Sequence, residues 1–300
     1  MAEPAAAFVL ELPQRRSPPR AAMVALRPRQ WTKNLLVFAG ILFAAELGDA
    51  QRWIEALAAF VAYCAASSAA YLANDVRDAA RDRLHPHKRR RPIARGELST
   101  RSALVLAVSL ALLALGVASL LGRLSLACLV AFLGLQAAYS LGLRAMPLID
   151  VLSIAGLFVL RAIAGALAVD VRISPWLPVC AGLLALMLAL GKRRAELATV
   201  GAAARPAFDG YTVALLDQLL ATAATATIGV YVVYTLVARD SRVLALTIPL
   251  VVYGIFRYLL LLHRRGAGEE PENVLLGDWP MLATVVAWAC SCAVLLVLGS

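Results

Sequence analysis

Nine apolar runs, most of them long enough to cross a bilayer as helices, occupy most of this 300-residue chain. They extend over approximately Asn34–Leu47, Trp53–Leu72, Ala103–Leu121, Leu124–Leu143, Leu148–Val169, Trp176–Leu190, Thr212–Val237, Val243–Leu262 and Met281–Leu298. About 20 apolar residues in a helix span the hydrocarbon core, roughly 30 Å thick. The pattern predicts an all-α, polytopic membrane protein. Hydrophobic residues make up 61% of the chain and charged ones 16%, where a soluble domain carries about 25% charged residues. The first run is short, so its helix is expected to start nearer Gln30, with Pro28 in its first turn. No long polar linker divides the runs, which points to one domain over residues 26–300. Before it, residues 1–25 carry Pro13, Pro18 and Pro19 with Arg15, Arg16 and Arg20, and read as a disordered, basic cytoplasmic tail. The apolar stretch Ala5–Leu10 is too short for a signal peptide.

The net charge of +10 raises the question of nucleic acid, and its distribution answers it. The bases fall between the apolar runs, where the positive-inside rule puts them. With the N-terminus cytoplasmic and the runs alternating, twenty-two of the 29 Lys and Arg residues lie on the cytoplasmic side. The opposite side holds Arg52, Arg123, Arg172, Arg239 and Arg242, and Arg161 and Arg257 lie within runs. The functional face is expected toward the cytoplasm, with the C-terminus outside. The partners implied are the membrane and anionic, phosphorylated substrates, with no nucleic acid. A monomer and a homo-oligomer both fit. Pro249 inside the eighth run predicts a kink, and the small residues Ala155, Gly156, Ala162, Gly165 and Ala166 suit close helix packing.

One polar stretch stands out at the end of the second run: Asn74-Asp75-Val76-Arg77-Asp78-Ala79-Ala80-Arg81-Asp82. On a helix, Asp75 and Asp78 are i,i+3, and Asn74–Asp78 and Asp78–Asp82 are i,i+4, so all four project from one face. Like charges so placed repel unless a cation sits among them. Magnesium takes oxygen ligands and is commonly shared between one or two carboxylates and a substrate phosphate. The bases Lys88, Arg89 and Arg91 follow at once, and suit phosphate contact. Acid beside base at the mouth of a membrane helix is what a magnesium–diphosphate site needs, with Mg2+ as cofactor. The bland alternative is a solvated acidic helix end paired with Arg77, Arg81 and Arg83.

Further candidates gather at other boundaries. Gln30, Lys33 and Asn34 recur at i, i+3, i+4 on the first helix, beside the interfacial Trp31. Lys192, Arg193 and Glu196 follow the sixth run, where Lys192 and Glu196 could form a local helix pair. Tyr139-Ser140 with Arg144, then Asp150 and Arg161, place polar and ionisable groups in or beside spans, where such groups default to function or mutual pairing. His85 and His87 make a poor metal site and read as loop residues. Cys64, Cys128, Cys180, Cys290 and Cys292 lie in apolar runs without metal-ligand spacing, and read as small buried residues.

These motifs resemble the UbiA superfamily of intramembrane prenyltransferases. Their first acidic motif, N-D-x-x-D-x-x-x-D, is matched by Asn74, Asp75, Asp78 and Asp82. The resemblance implies nine helices around a central cavity facing the cytoplasm. A second acidic motif is expected after the sixth helix, but this chain reads Gly191-Lys192-Arg193-Arg194-Ala195-Glu196-Leu197. That departure, R-P-R-Q-W-x-K-N from Arg27, and G-x-x-P-E-x-V-L-L from Gly268 to Leu276 are similar to the decaprenyl-phosphate phosphoribosyltransferase branch. The resemblance implies phosphoribosyl pyrophosphate as donor and a polyprenyl phosphate as acceptor, feeding arabinofuranose donors for cell-wall or surface glycans. Asn74, Asp75, Asp78 and Asp82 would then be the catalytic, metal-holding set. Gln30, Lys33, Asn34, Lys88, Arg89, Arg91, Tyr139, Asp150, Arg161, Lys192, Arg193 and Glu196 would bind substrate. The runner-up is an aromatic prenyltransferase using an isoprenyl diphosphate. A non-catalytic transport or lipid-binding bundle predicts repeats or broken midplane helices, and the sequence contains neither.

Overall fold

The structure is a computed structural model, and it describes all residues except 1–14, 45–47, 86–87, 172–173, 202–205, 238–241, 266–276 and 299–300. Among the described residues there are helices and no strands. In chain order these are α1 (Pro18–Leu26), a 3-10 stretch (Pro28–Phe38), α2 (Ala39–Ala44), α3 (Ala50–Leu84), α4 (Thr100–Leu120), α5 (Arg123–Leu141) and α6 (Ile149–Ala168). They continue with α7 (Trp176–Val200), α8 (Val213–Val237), α9 (Ile248–Arg265) and α10 (Trp279–Leu298). Eight of them are long and apolar enough to cross a membrane. Large apolar side chains face outward along them, among them Ile54, Val105, Leu112 and Leu124. With no water in the hydrocarbon core, helices that satisfy their own backbone bonds can present such a surface. The chain is a multi-pass membrane protein.

Where the first of the nine runs was expected, the chain is a 3-10 stretch of 11 residues continued by the 6-residue α2. A 3-10 helix rises about 2.0 Å per residue against about 1.5 Å in an α-helix. The pair therefore extends roughly 31 Å, a bilayer's thickness in fewer residues than an α-helix needs. Close packing holds it stretched. A Cβ at Gly165 of α6 would lie 1.8 Å from the Val37 carbonyl oxygen, and one at Gly40 would lie 2.5 Å from the Ala166 nitrogen. Only glycines let these backbones cross so closely.

α6 is the hub, packing on α3, α5, α7, α2 and the 3-10 stretch. On one side Tyr63, Ala66, Leu129, Phe132 and Leu157 form a core. On the other, Val151, Met187, Leu216, Leu220, Tyr258 and Leu262 form a second. α3 has 35 residues, about 52 Å, so its C-terminal turns outrun a bilayer of about 30 Å. The acidic motif rides on that overhang.

Three expectations need correction. Residues 18–25 are not a disordered tail: they form α1, with Ala21 and Ala25 buried against α3, because Pro18 at the helix start and two small apolar residues one turn apart favour docking. Pro249 does not kink a continuous helix; it is the second residue of α9, directly after a 3-10 segment over Arg242–Thr247. Cys290 is exposed rather than buried, since its face of α10 points away from the bundle.

Candidate active site

The alternating helices bring the C-terminal ends of α3, α5 and α7 and the N-terminal ends of α4, α6 and α8 to one polar face. On α3, Asp75 and Asp82 are 2% and 3% exposed, while Asn74 and Asp78 are half-buried. The basic segment after α3 curls back over them. Ile93 and Leu98 anchor it by joining one core cluster with Leu72, Ala103 and Ala107. That places Arg91 Nη1 3.1 Å from Asp75 Oδ1 and 2.7 Å from Asp82 Oδ2. Arg27 Nη2 also reaches Asp75 Oδ1, at 2.6 Å, and its guanidinium lies 4.9 Å from the Tyr71 ring centroid. Asp78 pairs with Arg77 at 3.4 Å and, across the bundle, with Arg144 at 3.3 Å. Lys88 is exposed and Arg89 half-buried on the same segment, and Arg89 Nε is buried without a hydrogen-bond partner. His85 Nδ1 accepts from the Lys88 backbone N–H, a loop role, and His87 lies outside the described residues.

A divalent cation can be tested against this arrangement. Among the described residues no three acidic, His or Cys side chains converge tightly enough to hold a metal ion. Two carboxylate oxygens nevertheless converge on a single cationic nitrogen, that of Arg91. Two carboxylates with hard oxygen donors match what magnesium takes. The donor set fits, and an arginine now supplies the charge between them.

A second polar cluster sits at the start of α6 and the end of α7. Arg193, 1% exposed, donates Nε to Asp150 Oδ2 at 2.6 Å, Nη1 to Glu196 Oε2 at 2.8 Å and Nη2 to the Tyr139 hydroxyl at 3.0 Å. Tyr211 donates its hydroxyl to Asp150 Oδ1 at 2.9 Å and accepts the Leu148 backbone N–H at 2.6 Å. Burial first, and the Asp150 carboxylate with it, pushes Tyr211 up to about 12, so it stays a donor. Arg193 thus spends every nitrogen inside the protein, which makes it a clamp rather than a phosphate contact. Lys192, one residue earlier, is half-buried.

The expectation that Gln30, Lys33 and Asn34 share a face is corrected. In a 3-10 helix positions i and i+3 eclipse, and Lys33 Nζ donates to Gln30 Oε1. Asn34 is turned about a third of a circle away and is fully buried, where its Oδ1 accepts from Arg161 Nε at 2.7 Å and its Nδ2 meets Cys64. Arg27 and Tyr211 were not among the expected site residues, and Arg144 was named beside Tyr139 without a partner. Arg27 and Leu148 take positive φ, 55° and 64°, strain of about 1–3 kcal/mol each that surrounding contacts must hold. The motif from Gly268 to Leu276 falls wholly outside the described residues.

Residues 35–277 match the UbiA prenyltransferase family. The chain belongs to that family. It is 34% identical to a decaprenyl-phosphate phosphoribosyltransferase of Corynebacterium glutamicum, over 92% of this chain and 87% of the relative. To the protein of that name in Mycolicibacterium smegmatis it is 35% identical, over 88% of each chain. In fold it is similar to a UbiA homolog from Archaeoglobus fulgidus solved with DMAPP and Mg2+, with a TM-score of 0.72 and 19% identity over 92% of this chain and 99% of that one.

Proposed function

We propose that this UbiA member transfers 5-phosphoribosyl from phosphoribosyl pyrophosphate to a polyprenyl phosphate, releasing pyrophosphate. The observation that carries the reading is the near full-length similarity, at 34–35% identity, to relatives named for phosphoribosyl transfer to decaprenyl phosphate. The charge layout supports it. A prenyl diphosphate donor asks for two acidic motifs around metal. Here the end of α7 offers Lys192 in place of a second acidic motif, which suits a donor with three phosphate groups and an acceptor with one.

Asp75 and Asp82, with Asp78 and Asn74 beside them, would hold magnesium, which neutralises charge on the departing pyrophosphate. Arg91 and Arg27 exchange their carboxylate contacts for donor oxygens, and Lys88, Arg89 and Arg144 widen the basic rim. Gln30 and Lys33 position phosphate from the 3-10 stretch, and Lys192 from α7. Glu196, Asp150 and Tyr139 fix the α6–α7 end through Arg193. The phosphate oxygen of the lipid bonds to the anomeric carbon while its bond to pyrophosphate oxygen breaks, the electron pair leaving with pyrophosphate. A phosphate monoester is already ionised near neutral pH, so no side chain need act as general base. The site faces the cytoplasm of a bacterial inner membrane, where the donor is soluble, and the isoprenoid tail lies among the helices. The product suits arabinofuranose-donor synthesis.

Purified protein given labelled phosphoribosyl pyrophosphate, a polyprenyl phosphate and Mg2+ should form a labelled lipid. Consumption of an isoprenyl diphosphate with an aromatic acceptor, and none of the sugar donor, would refute the reading.

A further inference from the structure

Two arginines are buried in the membrane-spanning part of the bundle, and they are compensated differently. Arg193 meets two carboxylates. Arg161, 4% exposed, meets none among the described residues. Its Nε donates to Asn34 Oδ1 at 2.7 Å, and its Nη1 reaches back one turn to the Leu157 carbonyl at 2.9 Å. Its guanidinium carbon lies 4.6 Å from the Phe132 ring centroid and 5.3 Å from that of Phe158. Aromatic faces contribute at most about 2 kcal/mol to a desolvated cation, whereas a buried charge without a counter-ion costs several kcal/mol. A glutamine could bond Asn34 at far lower desolvation cost, so the packing alone does not account for a charge here.

The remaining nitrogen, Nη2, makes none of these hydrogen bonds. Among the described residues no hydrogen-bond partner meets it, and it is not one of the sealed, unpartnered polar atoms. Arg161 lies eleven residues beyond Asp150 on α6, about 16 Å along the axis, and its side chain leans back toward the polar face. The group is a planar donor fork whose charge meets no carboxylate among the described residues, held on two sides by Asn34 and the Leu157 carbonyl. That geometry matches a tetrahedral oxyanion.

We propose that Arg161 seats a phosphate monoester anion, in a second subsite deeper than the diphosphate-binding acids. The proposal rests on the phosphoribosyl-transfer reading, which supplies two such groups: the phosphate of the acceptor lipid and the 5-phosphate of the donor. The full chain in phosphatidylcholine nanodiscs would be titrated with ribose 5-phosphate, with a short-chain polyprenyl phosphate and with the matching uncharged polyprenol, as wild type, Arg161→Gln and Arg161→Lys. Arg161→Gln should weaken one of the two phosphates by about tenfold or more, leave the polyprenol unchanged, and keep the wild-type near-ultraviolet dichroism. Arg161→Lys, which keeps the charge and loses the fork, should fall between. Loss confined to the lipid phosphate assigns the subsite to the acceptor, and loss confined to ribose 5-phosphate assigns it to the donor. The proposal is overturned if neither phosphate weakens, if the polyprenol weakens equally, or if wild type binds neither phosphate. Should Arg161→Gln not fold, Arg161→Lys decides by the same criteria. Arg161-dependent phosphate binding in a protein that transfers no phosphoribosyl group would refute the reaction and leave the subsite standing.

Discussion

Asp75 accepts from two arginines while almost wholly buried, so its carboxylate is held in place before any substrate arrives. Asp75→Asn keeps the shape and removes the anion. Turnover should fall on the order of 10–100-fold or more, with Asp82→Asn close behind because the same Arg91 nitrogen binds both. Initial rates across a Mg2+ titration check this; unchanged rates at low Mg2+ would refute the metal assignment. Arg193 belongs to a different class. Removing one partner of a buried ion pair costs about 3–5 kcal/mol, so Asp150→Asn should lower the melting temperature sharply. Tyr211→Phe should cost about 1.5–3 kcal/mol, the value of a hydrogen bond to a charged group, with the fold retained. The acids were legible from their i,i+3 and i,i+4 spacing. The distant partners were not, because Arg27 and Arg144 reach Asp75 and Asp78 across 48 and 66 residues, and no local pattern encodes such distances. Arg27 did stand at the head of a motif read for its other residues. Tyr211 left no signal at all.

At the level of elements, apolar length located the eight long helices because a bilayer fixes how long a spanning helix must be. The 3-10 stretch was invisible, since its geometry comes from a crossing with α6 and not from its own sequence. That crossing can be tested. Gly165→Ala puts a Cβ against the Val37 carbonyl, and the stretch must then retreat, moving Gln30, Lys33 and the Asn34–Arg161 bond. Stability and activity should both fall. Gly134→Ala, in α5 with nothing within 4 Å of the added Cβ, should be neutral or stabilising by about 0.5–1 kcal/mol. Equal melting temperatures for the two variants would refute the account. The strap formed by α1 has its own control. Burial pushes the Glu97 carboxyl up, but Arg16, through its backbone N–H and its guanidinium at 2.8 Å, and Arg95 outweigh it and hold it below the usual range. A lowered folded-state pKa gives stabilisation that is complete above the unfolded value, about 4.3, and is lost as pH falls below it. Hydrogen-exchange protection over residues 18–26, taken relative to the intrinsic rate at each pH, should therefore fall in acid, and Glu97→Gln should lower it at neutral pH.

For the whole molecule, charge and lipid divide the surface between them. Outward-facing Leu, Ile and Val side chains cover the flanks of α3, α4 and α5, while the ion pairs Asp75–Arg91, Asp78–Arg144, Asp150–Arg193 and Asp217–Arg194 all lie at one end. At the other end Arg52 pairs locally with Asp49 and Glu55, and Arg123 opens α5. Because bases retained on the cytoplasmic side orient a membrane protein, the end with the acid–base clusters should face the cytoplasm, where a soluble sugar phosphate can enter. The orientation is open to direct measurement in a background with the five native cysteines replaced. Ser99→Cys and Asp209→Cys, at exposed positions on the clustered end, should resist a membrane-impermeant maleimide in intact spheroplasts and react after lysis. Gln51→Cys and Arg123→Cys, exposed at the far end, should react without lysis. The reverse pattern would place the acids outside, beyond reach of a cytoplasmic donor, and would refute the proposed reaction even if every distance in the bundle were right.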